Sequence, residues 1–196
     1  NPGRPKLCGI EIISGSHFPD EWQGRLLAND FRANNIDSYA LEESESGFLS
    51  TLQDDLLQST HVSFRPIDVV MGPDGAVYVA DWYSPIIQHG EVDFRDPRRD
   101  KSHGRIWRIS VKGRAPLPRA DLTRLANREL LDRLAGPNGY EQEQARRVLV
   151  ERGSAAVGPD LEAWATRQTT ESAKLQGLWL RQAFNEYPVD SAGLLA

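Results

Sequence analysis

The side chains with the most chemical potential are concentrated between Phe64 and Arg105. They run as Phe64-Arg65-Pro66-Ile67-Asp68, then Asp81-Trp82-Tyr83-Ser84-Pro85-Ile86-Ile87-Gln88-His89, then Phe94-Arg95-Asp96-Pro97-Arg98-Arg99-Asp100-Lys101-Ser102-His103-Gly104-Arg105. A guanidinium such as Arg65 offers a planar fork of donors that suits a carboxylate. Carboxylates such as Asp93, Asp96 and Asp100 suit a hard cation such as calcium, but they lack the regular oxygen spacing and the glycine of an EF-hand loop. His17, His61, His89 and His103 stand neither at helical i, i+4 spacing nor in a metal-binding string, so no zinc site is indicated. A serine nucleophile elbow, a phosphate loop and a dinucleotide fingerprint are all missing. The same charges have a second reading, in which Arg65, Asp81 and the loop residues are ion pairs that pin a long loop to a scaffold. The residue types alone leave both open.

The elements that would position this cluster are short strands. Gly24-Arg25-Leu26-Leu27-Ala28-Asn29-Asp30 aligns with Gly75-Ala76-Val77-Tyr78-Val79-Ala80-Asp81, each a glycine turn followed by an apolar strand that ends on Asp. Upstream strands are expected at Gly9 to Ile13 and Ile67 to Met71, and downstream strands at Ile36 to Leu41 and Arg105 to Val111. A further strand pair, Phe48 to Leu57, would complete the outer edge of the first copy. Met71-Gly72-Pro73-Asp74-Gly75 reads as a hairpin turn, because Pro sets φ at one corner and Gly supplies a positive φ at the next. Pairing would bring Arg65 and Asp68, where one strand begins, to the place where Asp81 ends its partner. Repeats of roughly 40–50 residues built from short strands suggest propeller blades. Two blades cannot close a ring, so the chain reads as the end of a longer propeller or as a piece that leans on a partner. The Trp82 to Gly104 connection is long for a loop within a blade, and its charges are expected to fold back onto the end of the sheet that carries Arg65 and Asp81.

Near residue 115 the pattern changes to Leu, Ala, Arg, Glu and Gln at helical spacing, after a Pro-punctuated linker, Lys112 to Pro118. The expected organisation is blades over 1–114, a linker over 115–120 and helices over 121–196. Leu122, Leu125, Leu130, Leu131 and Leu134 form one face of a first helix that Gly136-Pro137-Asn138-Gly139 stops. Asn138 with Glu141 starts a second, running to about Arg152 before Gly153, with Ala145, Val148 and Leu149 inward. Two more are expected, from Pro159 to about Arg167 and from Thr170 to about Phe184, with Trp164, Trp179 and Phe184 in the core. Helix pairs of this size suggest HEAT-like stacking. The fold class is therefore mixed β then α: a partial β-propeller of about two blades followed by an antiparallel HEAT-like helical domain.

Composition narrows the function. The chain has 196 residues, with 23 Lys+Arg against 28 Asp+Glu and a net charge of −5, both signs interleaved. That argues against a nucleic-acid partner or a polybasic membrane patch. No apolar run reaches the roughly 18 residues of a membrane span. One cysteine, Cys8, excludes an internal disulfide framework and any Cys-rich metal site. The chain begins at Asn1 and reads as an excised or processed piece of something longer.

The string "FRPIDVVMGPDGAVYVADWYSPIIQHG" followed by "FRDPRRDKSHGRIWRI" resembles the C-terminal blades of the large planctomycete and verrucomicrobial proteins called membrane-bound dehydrogenases. Those are similar to the quinoprotein glucose and sorbosone dehydrogenases, six-bladed propellers that use pyrroloquinoline quinone and calcium. The resemblance spans roughly residues 5 to 196 and is strongest from 64 to 109. It implies a cofactor-binding set of Arg65, Asp68, Asp81, Trp82, His89 and Arg105, with Asp81 and Asp96 as metal ligands. It further implies a catalytic His in earlier blades outside this chain, a c-type cytochrome as neighbour or partner, and a periplasmic or cell-surface location. Pro66 stands where the quinoproteins usually have Asn after the cofactor-contacting Arg, and no Cys-x-x-Cys-His haem string occurs in this chain. On this reading the chain is a fragment of a quinoprotein-like sugar or alcohol dehydrogenase, inactive alone. The alternative is a non-catalytic scaffold or interaction subunit of a larger assembly.

Overall fold

The computed structural model describes residues 5–88 and 90–185. The chain divides into two compact units, Asn1–Pro118 and Arg119–Ala196. The described residues of the first form β1 (Leu7–Ile12), β2 (Leu26–Asp30), β3 (Asn35–Ser44), β4 (Gly47–Leu52), β5 (Leu57–Gln58), β6 (Pro66–Met71), β7 (Val77–Asp81) and β8 (Arg105–Ile109). Two open antiparallel sheets result, β1-β2-β3-β4 and β6-β7-β8. The expected outer pair over 48–57 is corrected in part. β4 lies on the edge, whereas β5 returns to the start of β3, with Asn35 opposite Gln58 and Ile36 opposite Leu57.

Side-chain alternation decides how the sheets stack. In β7, Val77, Val79 and Asp81 are buried while Tyr78 and Ala80 are half-buried on the other face. Val77 and Val79, with Val69 and Met71 of β6, share one core with Leu27 and Ile36 of the first sheet and with Ile13 and Phe18. Backbone groups join the same seam. The Met71 N–H donates to Glu11 Oε2 at 2.7 Å, and the Cys8 thiol donates to the Pro66 carbonyl at 3.4 Å. At the β6–β7 hairpin, Gly72 accepts from the Gly75 N–H at 3.0 Å and Gly75 takes φ +77°, the geometry that the Pro-Asp-Gly sequence favours.

The described residues of the second unit form α1 (Asn127–Leu134), α2 (Gly139–Arg152), α3 (Ser154–Ala165) and α4 (Glu171–Ala183). The expected first helix is split. Asp121 accepts from the Thr123 N–H and caps a 3-10 turn, Leu122–Arg124; Leu125 is extended, and Glu129 takes the Ala126 N–H at 2.8 Å to open α1. The third helix starts at Ser154 rather than Pro159, because Gly153 at φ +81° both ends α2 and admits α3 without a loop. Pro159 then lies inside the helix. Trp164 is buried among Leu130, Leu131, Leu134, Leu149, Leu161 and Leu180, and its indole N–H reaches Asp132 at 3.1 Å. Trp179, expected in the core, is exposed, with the Arg146 guanidinium 5.5 Å from its ring centre. Its position one residue before Leu180 turns it off the packed stripe.

Gly9 is the extra residue of a bulge in β1, at φ +59°, and a Cβ there would stand 2.8 Å from the Cα of Asp68. Gly9→Ala is therefore expected to cost more than about 1 kcal/mol of unfolding free energy. Gly47→Ala, where an added methyl meets nothing within 4 Å, is expected to stay within about 0.5 kcal/mol of wild type. Urea unfolding of the two variants compares them directly.

Candidate functional site

Asp81 closes β7 on the buried face, opposite Pro66 across the β6 pairing and opposite Arg105 across the β8 pairing. Its carboxylate is saturated by the protein itself. Oδ1 accepts from the backbone N–H of Arg65 and of Tyr83, each at 2.8 Å, and Oδ2 accepts from the Trp107 indole N–H at 2.9 Å. The first sheet repeats the device at the matching place. Asp30 Oδ1 accepts from the N–H groups of Lys6, Arg32 and Ala33 at 3.3, 3.0 and 3.0 Å. Lys6 is thus the counterpart of Arg65, each standing just before the first strand of its sheet.

With its backbone fixed by Asp81, Arg65 extends its side chain across the seam. Nε donates to the Ser84 carbonyl at 2.9 Å, Nη1 to those of Phe31 and Arg32 at 2.8 and 3.4 Å, and Nη2 to that of Pro85 at 3.4 Å. The residue is 6% exposed. Burial lowers the guanidinium pKa and the Asp81 charge opposes that shift. Four of the five N–H groups of an Arg side chain are on carbonyls. They tie the β2–β3 turn of the first sheet to the loop leaving the second.

The remaining expected site residues are dispersed. Trp82 donates its backbone N–H to the Arg65 carbonyl at 2.9 Å, and the residue is 37% exposed. Asp68 is exposed, and its Oδ1 accepts from the neighbouring Val69 N–H at 3.0 Å. Asp96 is held bidentately by Arg98, Nε to Oδ1 at 2.9 Å and Nη2 to Oδ2 at 2.8 Å. That contact, with the Arg98 N–H, draws its pKa down to about 2. His89 lies outside the described residues.

Of the residues expected to fold back on Arg65 and Asp81, namely Arg95, Asp96, Arg98 and Asp100, none bonds to either; Asp100 approaches through His103 at the Tyr83 ring, and Arg98 lines a cavity with Arg32 and Pro85. Asp93, Asp96 and Asp100 each accept the N–H two residues on, so the distal loop is built from its own turns. Arg99 donates to the Val92 and Asp93 carbonyls. The start of the loop, Ser84 and Pro85, makes the contact instead. No group of three or more His, Cys, Asp or Glu side chains among the described residues is placed to hold a metal ion.

A second set of groups gathers beside this clamp. Arg105 lies over the Tyr83 ring with its guanidinium carbon 3.4 Å from the ring centre, and 5.9 Å from that of Trp107. His61 stacks on Tyr83 at 5.6 Å, and His103, paired with Asp100 at 2.7 Å, meets the same ring edge-on at 6.1 Å. Tyr83 has φ +52°, a conformation rare for an aromatic residue, held by the bond from its N–H to Asp81. A cavity of about 300 Å³ opens here, lined by Ser59, His61, Phe64, Asp81, Arg105 and Trp107. Of these, Ser59 and Trp107 escape sequence reasoning, and His61 enters it only as a histidine outside any metal-binding string. Trp107 was legible in principle: two residues after Arg105 on a strand, it must share that residue's face.

A family model described as a domain of unknown function (DUF7133) matches residues 5–113. No curated protein and no solved structure matches the chain.

Arg65→Met would leave the seam carbonyls without donors and the Asp81 charge without its neighbour. A loss of about 3 kcal/mol is expected. Asp81→Asn keeps an oxygen for the two backbone N–H groups but puts a donor towards the Trp107 indole, for an expected cost of about 1–2 kcal/mol. Thermal and urea unfolding read both; unchanged midpoints would contradict a structural clamp.

Proposed function

We propose that the β unit of this chain, which belongs to the DUF7133 family, is a docking module, a pair of propeller blades whose open faces are covered by further sheets of the same kind. The carrying observation is the equivalence of faces. The repeat places Leu26, Ala28 and Asp30 where the second copy has Val77, Val79 and Asp81. The second copy's face is buried against the first sheet. The first copy's face carries Ile12, Leu26, Tyr39 and Leu52 as a row across all four strands, with Leu52 61% and the adjacent Ile10 69% exposed. On the back of the second sheet, Val70 and Ile106 are likewise exposed. They lie on the face of Tyr78 and Ala80, opposite the buried Val77 and Val79. A sheet that packs its face on its neighbour's back and leaves apolar side chains exposed at both ends, here beside Asp37 on one and Asp68 and Arg108 on the other, suits continued stacking. The short helices of the second unit, joined through Gly153, suit HEAT-like stacking in the same assembly.

The dehydrogenase that the resemblance implies fits the described residues less well. A quinone carboxylate on Arg65 would have to displace the carbonyls it holds, and calcium on Asp81 would have to displace three N–H donors. Asp96 belongs to Arg98 and not to Asp81. If the assembly oxidises a sugar or alcohol, this unit contributes stacking and support, and the reacting groups stand elsewhere.

Face-on-back stacking is heterologous, so two differently damaged copies should complement each other. Ile10→Glu with Leu52→Glu disables one surface, and Val70→Glu with Ile106→Glu the other. In sedimentation velocity the wild-type chain is expected to associate with rising concentration and each double variant alone to remain monomeric. Their mixture is expected to form a one-to-one complex. A wild-type chain that stays monomeric and binds no hydrophobic dye, or variants that fail to complement, would overturn the reading.

A further inference from the structure

We infer that the cavity between His61 and Trp107 is a binding site for a small amphiphilic monocarboxylate, an acid group carried on an apolar ring or short chain. The argument begins with the donors. Among the described residues the Arg105 guanidinium donates no hydrogen bond and forms no ion pair; its contacts are the rings of Tyr83 and Trp107. With its carbon 3.4 Å over the Tyr83 ring centre, the guanidinium has N–H groups free of protein acceptors, and a planar carboxylate matches two of them. Arg105 is itself exposed, and its stacking on the Tyr83 ring limits the side-chain freedom that binding would remove.

The walls select the rest of the ligand. Phe64 is buried behind the cavity and Trp107 presents a half-open indole whose N–H is already spent on Asp81. Both therefore offer apolar surface to an occupant. Ser59 and His61 add polar groups to the lining. Asp81 also lines the space, but its oxygens accept three N–H groups and its charge is faced by Arg65. It repels an anion weakly, and Arg105 is the uncompensated charge. A volume of about 300 Å³ sits at the small end of ligand pockets, too tight for a large cofactor and ample for a single ring. The site lies where the β5–β6 connection passes the end of β7 and the start of β8, so its lining comes from the strands and their short connection and includes none of the long loop's distal turns.

Benzoate, benzyl alcohol and inorganic phosphate separate the components. Isothermal titration of the chain is expected to show benzoate binding in the millimolar range or tighter, with quenching of tryptophan fluorescence. Benzyl alcohol, the neutral isostere, and phosphate, which lacks the ring, are each expected to bind at least about tenfold more weakly. Arg105→Gln, at an exposed position, is expected to weaken benzoate at least about tenfold and leave benzyl alcohol unchanged. Trp107→Phe is expected to abolish the quenching. Equal affinity for benzoate and its alcohol, phosphate binding as tightly as benzoate, no binding of benzoate at millimolar concentration, or an unchanged affinity in Arg105→Gln would each overturn the assignment. Because this test reads a ligand and the complementation test reads self-association, either inference can fail without the other.

Discussion

The Asp81 carboxylate is the constraint from which the arrangement of the first unit follows. It sits 3% exposed at the end of β7 and receives N–H groups from three separate segments: the residue before β6, the turn after β7 and the side chain of β8. A buried charge is tolerable only with such compensation. The order of dependence is clear from the atoms. The carboxylate fixes the Arg65 backbone, and only then can the guanidinium reach the carbonyls of Phe31, Arg32, Ser84 and Pro85. A hydrogen bond at one strand end is thereby converted into a tie between two sheets. The apolar contacts of Leu27 and Ile36 with Val77 and Val79 supply the greater area of the seam, but they are non-directional and fix no register. The polar clamp supplies the register.

The same carboxylate separates two arginines into opposite roles. Arg65 has its donors on backbone carbonyls and is closed off. Arg105, aligned with Asp81 across the strand pair, is stacked on rings and has N–H groups free of protein acceptors. What places the Tyr83 ring beneath Arg105 is the left-handed backbone at Tyr83, and the bond that sustains it comes from Asp81 Oδ1. Strain of this kind persists only where the surroundings determine it strongly. Binding potential in this unit therefore lies beside the clamp and not in it.

Much of the scaffold was legible because it depends on local chemistry. The repeated Gly-to-Asp strands, the Pro-Asp-Gly hairpin and the Asn138 and Gly153 helix boundaries are each written in residues whose conformational preferences act within a few positions. The misread elements depended on competition. The leucines from 122 to 134 keep a helical period, yet Asp121 and Glu129 offer caps that cut the segment in two. The candidate site was legible as a neighbourhood and illegible as a set of roles. Sequence placed Arg65 and Asp81 together at one sheet end, which the pairing realises. Whether an arginine meets a ligand or four carbonyls depends on the conformation of segments up to 34 residues away, and no local pattern encodes that.

The two copies of the repeat differ at the residue that crosses the seam. Arg65 reaches back to the carbonyls that follow Asp30 in the preceding copy, whereas no strand precedes Lys6 among the described residues. Lys6 is exposed, and it borders a cavity of about 670 Å³ together with Arg32 and Arg98. A guanidinium holds several carbonyls in a fixed fork, whereas an ammonium is a compact, strongly hydrated point charge on a flexible stem. Desolvating it costs more for each hydrogen bond formed, and it constrains orientation less. The Arg-clamped seam inside the unit is accordingly the one built to stay closed. The outer face of the first sheet, which mixes Ile10 and Leu52 with Asp30 and Asp37, has no such fork across it among the described residues.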